Sequence, residues 1–274
     1  MNWSSVTPFF GFHHVLMILC ILAMVFWSVL VAGCTSSNGL SNVYLISLSY
    51  KGAGVTATNS SLQVNHDAGN CFIDGITGSS KTIRQINIGF MALCVQLNSG
   101  IWLCGSSAQD IAQNLKDQES VDADPFNLVW IAEKFRTNII FYGFLIAVVV
   151  MIFFQFLLLA TFPGWHEDDV SSGSVDRMVK PFPSRKVTVP CLALAYIALL
   201  LSFVTVLWQH IGGAAASKLL ELLSYGIIQA EVGATAMVLG WVGVAFTAIV
   251  ALGIHTIKVS TNSITSTKLS SVIK

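Results

Sequence analysis

The stretch from Asp110 to Asp124 holds Asp110, Asp117, Glu119, Asp122 and Asp124, a concentration of carboxylate oxygens of the kind a hard cation needs. Calcium takes six to eight oxygen ligands, so these side chains are candidate Ca²⁺ contacts, although their spacing is not that of an EF-hand loop. The same residues also have a plainer reading. Asp122 and Asp124 precede an apolar run and suit the positive end of a helix dipole, with the others solvated. Beyond Ca²⁺ no cofactor is expected. The chain has no nucleotide-binding glycine loop, no nucleophile elbow and no His-Glu metal helix, so it is not expected to be an enzyme. Its net charge is zero, which leaves no basic surface for nucleic acid.

The six cysteines are the other reactive groups. Cys20 and Cys191 fall in apolar runs, where a thiol behaves as a small hydrophobe. Cys34, Cys71, Cys94 and Cys104 fall between the first two runs, and four cysteines allow three pairings. Cys94 and Cys104 bracket two apolar segments joined by Asn98-Ser99-Gly100, the turn chemistry of a hairpin, so a Cys94–Cys104 bridge is expected. Cys34–Cys71 follows by elimination. Zinc would need Cys-x2-Cys or Cys/His spacing, which is absent.

The elements that position these residues are dominated by the bilayer. The chain is 54% apolar and 10% charged, against about 25% charged in a soluble domain. A hydrocarbon core of about 30 Å needs about 20 apolar residues, and four stretches qualify: 15–32, 139–162, 187–210 and 232–257. None carries Asp, Glu, Lys or Arg. Val31-Ala32-Gly33-Cys34 has the form of a lipoprotein cleavage box, but residues 2–14 lack Lys and Arg and the run exceeds a signal-peptide core. It is read as a span.

The short loops set orientation. Arg177, Lys180, Arg185 and Lys186 lie in the 163–186 loop, and Lys258, Lys268 and Lys274 in the 258–274 tail. These segments and residues 1–14 are expected in the cytosol. Residues 33–136 then form an outer domain and 211–231 a brief second outer loop. Asn59-Ser60-Ser61 is a glycosylation acceptor on that side. His166 to Asp169 with Ser171, Ser172 and Ser174 make an acidic, phosphorylatable cytosolic stretch, read as solvated.

Within 33–136, Asn42 to Tyr50 alternates so that Tyr44, Ile46, Leu48 and Tyr50 share one strand face. Residues 52–70 read as an exposed excursion. Asp124-Pro125 opens a helix as N-cap and first residue, expected to run into the second span through Leu128, Ala132, Phe135 and Ile139. In the fourth span Ala236, Gly240, Gly243, Thr247 and Ala251 set small residues one turn apart, which lets backbones approach closely. Packing within the bundle is the expected use. The spans offer little polar lining beyond Gln155, Gln209, His210 and His255, so one copy is not expected to form a Ca²⁺ pore.

Gly89-Phe90-Met91-Ala92-Leu93-Cys94, with nine residues before Cys104, resembles the claudin-superfamily signature of Gly-Leu-Trp, two residues, Cys, eight to ten residues, Cys. Met91 stands where that signature has Trp. Gly33-Cys34-Thr35-Ser36-Ser37, Asp124-Pro125-Phe126-Asn127-Leu128 and Phe162-Pro163-Gly164-Trp165 resemble, more narrowly, a fungal factor-induced, claudin-like mating family. The resemblance implies a claudin-like four-helix transmembrane bundle with an extracellular β-sheet and helix domain in the first outer loop. It also implies a plasma-membrane regulator of Ca²⁺ influx and membrane fusion during mating. Besides the lipid bilayer, a Ca²⁺ channel subunit or further copies of the chain are the candidate partners. A self-assembling or adhesive scaffold, or an oligomeric pore, is the alternative.

Overall fold

The structure is a computed structural model. It describes residues 12–37, 39–50, 83–97, 99–117, 124, 127–162, 166–167, 178–179 and 185–272, with the backbone alone at 116–117, 166–167, 178–179, 185 and 261–272. In chain order the elements are α1 (Phe12–Val31), β1 (Ile46–Tyr50), β2 (Ile83–Ile88), β3 (Leu93–Leu97), β4 (Trp102–Gly105), α2 (Ala108–Asp117), α3 (Leu128–Ile139) and α4 (Tyr142–Ala160). A short β5 (His166–Glu167) and β6 (Met178–Val179) pair follows, then α5 (Arg185–Leu223), β7 (Ile228–Val232) and α6 (Ala234–Val272).

Four helical segments are long and apolar enough to cross a membrane: Phe12–Val31, Tyr142–Ala160, Lys186–Leu223 and Ala234–Ser260. The protein is a multi-pass membrane protein. The 39 residues of α5 rise about 58 Å, roughly twice the hydrocarbon core, so only part of that helix can be in lipid.

The chain divides into two compact units. The first takes Met1–Trp27, Ile146–Phe203 and Val242–Lys274, and its described residues are helix apart from the short β5–β6 pair. Leu16, Cys20, Ala23, Trp27, Ile152, Ala195, Ala198, Ala251 and Ile254 are buried in it. Gly243 lies under the indole of Trp27, where a Cβ would come within 2.7 Å of Cε2. The Trp27 Nε1–H points at Thr247 Oγ1 (3.5 Å), and that hydroxyl donates to the Gly243 carbonyl (2.8 Å). Phe26 stacks on Phe246. The expected packing role of Gly243 and Thr247 is met inside this chain.

The second unit takes Ser28–Leu145 and Val204–Trp241. It holds an antiparallel sheet in the order β4-β3-β2-β1-β7, with α2 and α3. Ile46 and Leu48 are buried as their alternation predicts, but Ser47 on the opposite face is buried as well, and β1 is paired on both edges by β2 and β7. In this unit Gly240 packs against Val206 and Leu30, and Ala236 is buried.

The structure corrects several expected boundaries. The strand begins at Ile46 rather than Asn42, because residues 40–43 turn back under the end of α1, with Cys34 N–H donating to Leu40 O. Residues 211–231 are not a brief loop: helix continues to Leu223 and β7 follows. The run Ala214 to Leu223 is rich in Ala, Leu, Lys and Glu, all strong helix formers, and Lys218 pairs with Glu221 across one turn (3.3 Å). The fourth helix starts at Ala234 and extends to Val272, so the 258–274 tail is largely helical. Nor does α3 run into the second span. Ile140 turns extended (φ −95°, ψ 112°) and is itself buried, so α4 starts afresh at Tyr142.

Candidate functional site

The signature residues cluster where the end of α1 meets the sheet. After α1 the chain turns at Gly33 and Cys34, the latter with φ 62°. Gly89 closes β2 directly against this turn: a Cβ there would strike the Gly33 carbonyl oxygen and come within 2.8 Å of Cys34 Cβ. A side chain has no room, which is the physical basis of this glycine. Gly33 is constrained in the same way against the Val43 carbonyl, and Gly233 against that of Tyr44. Three close backbone crossings therefore tie α1, β1, β2 and the start of α6 together. Gly33 stands in the Gly33-Cys34-Thr35-Ser36-Ser37 likeness, whereas Gly233 was missed by motif reasoning, although it is a glycine at the border of an apolar run.

Phe90 is buried, while Met91 exposes 46% of its surface at the tip of the β2–β3 turn. Gly89 N–H donates to Ala92 O (2.9 Å), closing that turn. The structure links Cys94 to Cys104 (Cα–Cα 4.1 Å) across directly paired positions of β3 and β4, as the hairpin spacing predicts. Gly100 takes φ 84° in the connecting turn, and Ile101 beside it is 51% exposed.

The expected Cys34–Cys71 pairing reaches outside the described residues, where Cys71 lies. Cys34 itself is buried and unbridged among the described residues, and its S–H donates toward Val43 O (3.6 Å). Packed with Ala92 and Cys94, and with its carbonyl oxygen 3.2 Å from Cys94 Sγ, Cys34 faces the interior behind the hairpin bridge. Burial pushes its pKa up to about 12, which keeps it protonated and unreactive.

α3 fastens the sheet. Arg136 Nη1 donates to Met91 O (2.7 Å), and Glu133 accepts the Ala108 N–H (3.2 Å) at the start of α2. Buried Asn87 donates to Ser41 O (2.8 Å), holding the turn after α1.

Of the candidate carboxylates, the side chains of Asp110 and Asp124 are described, and each is engaged locally. Asp124 Oδ1 accepts from Leu128 N–H (2.7 Å) and from Tyr50 O–H (2.6 Å), and Oδ2 accepts from Val129 N–H (2.9 Å). It caps α3 as expected, but from a distance. The helix begins at Leu128, not Pro125, after Asn127 in a left-handed conformation. Asp110 lies in the first turn of α2, accepting from Ser106 O–H (3.3 Å), and Asp117 is at that helix's end. Among the described residues no three His, Cys, Asp or Glu side chains form a metal-binding group. Glu119, Asp122 and the glycosylation candidate Asn59 lie outside the described residues.

In the helices, Gln155 and Gln209 are buried, and Gln155 Oε1 and Gln209 Nε2 find no hydrogen-bond partner among the described residues. Tyr196 O–H and His255 Nδ1 meet at 2.9 Å.

Comparison with known families matches residues 74–260 to a family described as Ca²⁺ regulator and membrane fusion protein Fig1. The match takes in the hairpin, its bridge, α2, α3 and the last three spans. A comparison with curated proteins found no match. More than half of the chain fits the family, whose description is of a regulator and fusion protein rather than an enzyme, and the chain belongs to the Fig1 family of Ca²⁺ regulator and membrane fusion proteins.

Proposed function

We propose that this protein is a claudin-like regulator in the plasma membrane of mating cells, with both termini cytosolic. Its sheet domain lies outside the cell and acts through contacts with other proteins, a Ca²⁺ channel subunit foremost. The family match over residues 74–260 carries the Ca²⁺ and fusion part of this reading. The contact mechanism is supported by the exposed β2–β3 turn. Met91 exposes about half its surface there, on a backbone held by Arg136 and by the Cys94–Cys104 bridge at the same end of β3. A backbone already fixed in place loses little entropy on binding.

The self-assembling scaffold is less favoured, since the small residues of α6 already pack against Trp27, Val206 and Leu30 of the same chain. Copurification of the full chain from membranes separates the readings: a channel subunit among the partners supports regulation, and a homo-oligomer alone supports the scaffold. Ca²⁺ uptake in cells stripped of their own channels checks the mechanism. Full uptake there would mean that the protein conducts Ca²⁺ itself, and the regulator reading would fail.

A further inference from the structure

Within the second unit, α3 and the far end of α5 enclose a groove of about 460 Å³, in the size range of sites for small molecules. Its walls are almost wholly apolar: Trp130 and Ile139 from α3, and Ala216, Leu219 and Leu223 from α5. Leu219 and Leu223 expose 59% and 67% of their surface, unusual for leucines on a helix that has passed beyond the length of a bilayer. One cation, Lys134, lines the groove. The carboxylates next in sequence to lining residues are already engaged, Glu133 by Arg136 and the Ala108 N–H, and Glu221 by Lys218. Among the described residues Lys134 has no anionic partner.

Two features say what fills it. The lower end of the groove is Ile139, whose carbonyl accepts the Trp208 Nε1–H (3.3 Å). Trp208, Phe141, Tyr142 and Phe144 are all about half exposed around this point. Aromatic residues so placed mark the headgroup level of a bilayer, and the span of α4 starts there. The groove thus opens directly from the lipid-facing surface. Lys134 is five residues from Ile139, about 7.5 Å of helix rise, which is headgroup distance above the acyl region.

We propose that the groove holds an acyl chain of one anionic phospholipid, with the Lys134 ammonium against its headgroup, whose net negative charge a zwitterionic headgroup lacks. The apolar walls take the chain, and the cation selects the headgroup; Asn127 and Asn138, also on the lining, offer amide donors beside it.

The test uses the full-length protein in vesicles of phosphatidylcholine mixed with phosphatidylserine, re-extracted in detergent, with retained lipids counted by native mass spectrometry. The wild-type chain should retain phosphatidylserine over phosphatidylcholine. Lys134→Gln should lower that preference about fivefold, and Ala216→Phe, which fills the groove, should lower retention of both lipids by about tenfold or more. Leu219→Gln is exposed enough to leave the fold intact and should also weaken retention. Unchanged retention in Leu219→Gln, or unchanged headgroup preference in Lys134→Gln, would overturn the proposal. So would a wild-type dimer that Leu219→Gln dissociates, because a second copy would then be the occupant.

Discussion

A methyl group at residue 89 would meet backbone, not a movable side chain. The Gly33 carbonyl and Cys34 Cβ stand where it would go, so Gly89→Ala should destabilise the protein by about 2 kcal/mol or more through forced backbone displacement. Thermal melting of the purified chain checks this, and an unchanged midpoint would contradict the packing account. Cys34 supports a second prediction. Its folded-state pKa of about 12 lies above the ordinary 9.0, so its stabilising contribution is complete below about pH 9. It declines as pH rises toward 12, because the unfolded thiol ionises while the folded one stays protonated. The melting midpoint of the wild type should therefore fall more steeply above pH 9 than that of Cys34→Ala. In mass mapping after alkylation, Cys34 should be protected while folded, modified after denaturation, and never found linked to Cys71. The signature glycine and the hairpin cysteines were legible as motifs. That Cys34 packs against Ala92 and Cys94 was not, because spacing along the chain says nothing of which neighbours wall a side chain in.

At the scale of elements, α3 depends on a carboxylate outside it. Asp124 satisfies two of the N–H groups that a helix start leaves unpaired and also receives Tyr50 O–H from β1. Asp124→Ala should cost about 1–2 kcal/mol, readable in urea unfolding. Asp124→Asn, which keeps one acceptor oxygen, should cost less; equal losses would argue against the cap. In the first unit, Gly243→Leu should abolish folding rather than association, because its side chain would enter the space of the Trp27 indole. Size-exclusion profiles and yield distinguish the outcomes, and a folded protein with altered association would assign that glycine to a partner surface. The apolar runs and the Asn98-Ser99-Gly100 hairpin were readable because both signals are local. The break at Ile140 was not. Leu128, Ala132, Phe135 and Ile139 keep a helical period up to it and an apolar run follows, whereas Ile140 turns extended into a buried place, a tertiary event.

For the whole molecule, the Cys94–Cys104 bridge closes a separation of 10 residues, a loop for which loss of the crosslink costs about 3 kcal/mol. The double substitution to serine should lower stability by that order and reduce Ca²⁺ uptake in cells, because the Met91 turn lies at the bridged end of the β3–β4 hairpin. Uptake that persists with the hairpin unlinked would detach the proposed contact surface from function. The sequence by itself determined the four apolar spans, the hairpin with its bridge and the family, because each is written in neighbouring residues: a run long enough for a bilayer, turn chemistry between two cysteines, a motif. Only the tertiary structure decided that β7, arriving from beyond α5, completes the sheet on β1. It also decided that Cys34 is sealed behind Cys94, and that α3 and α5 leave a groove open toward lipid. Those features join residues far apart in the chain, and their energies come from burial and backbone pairing that no local pattern records.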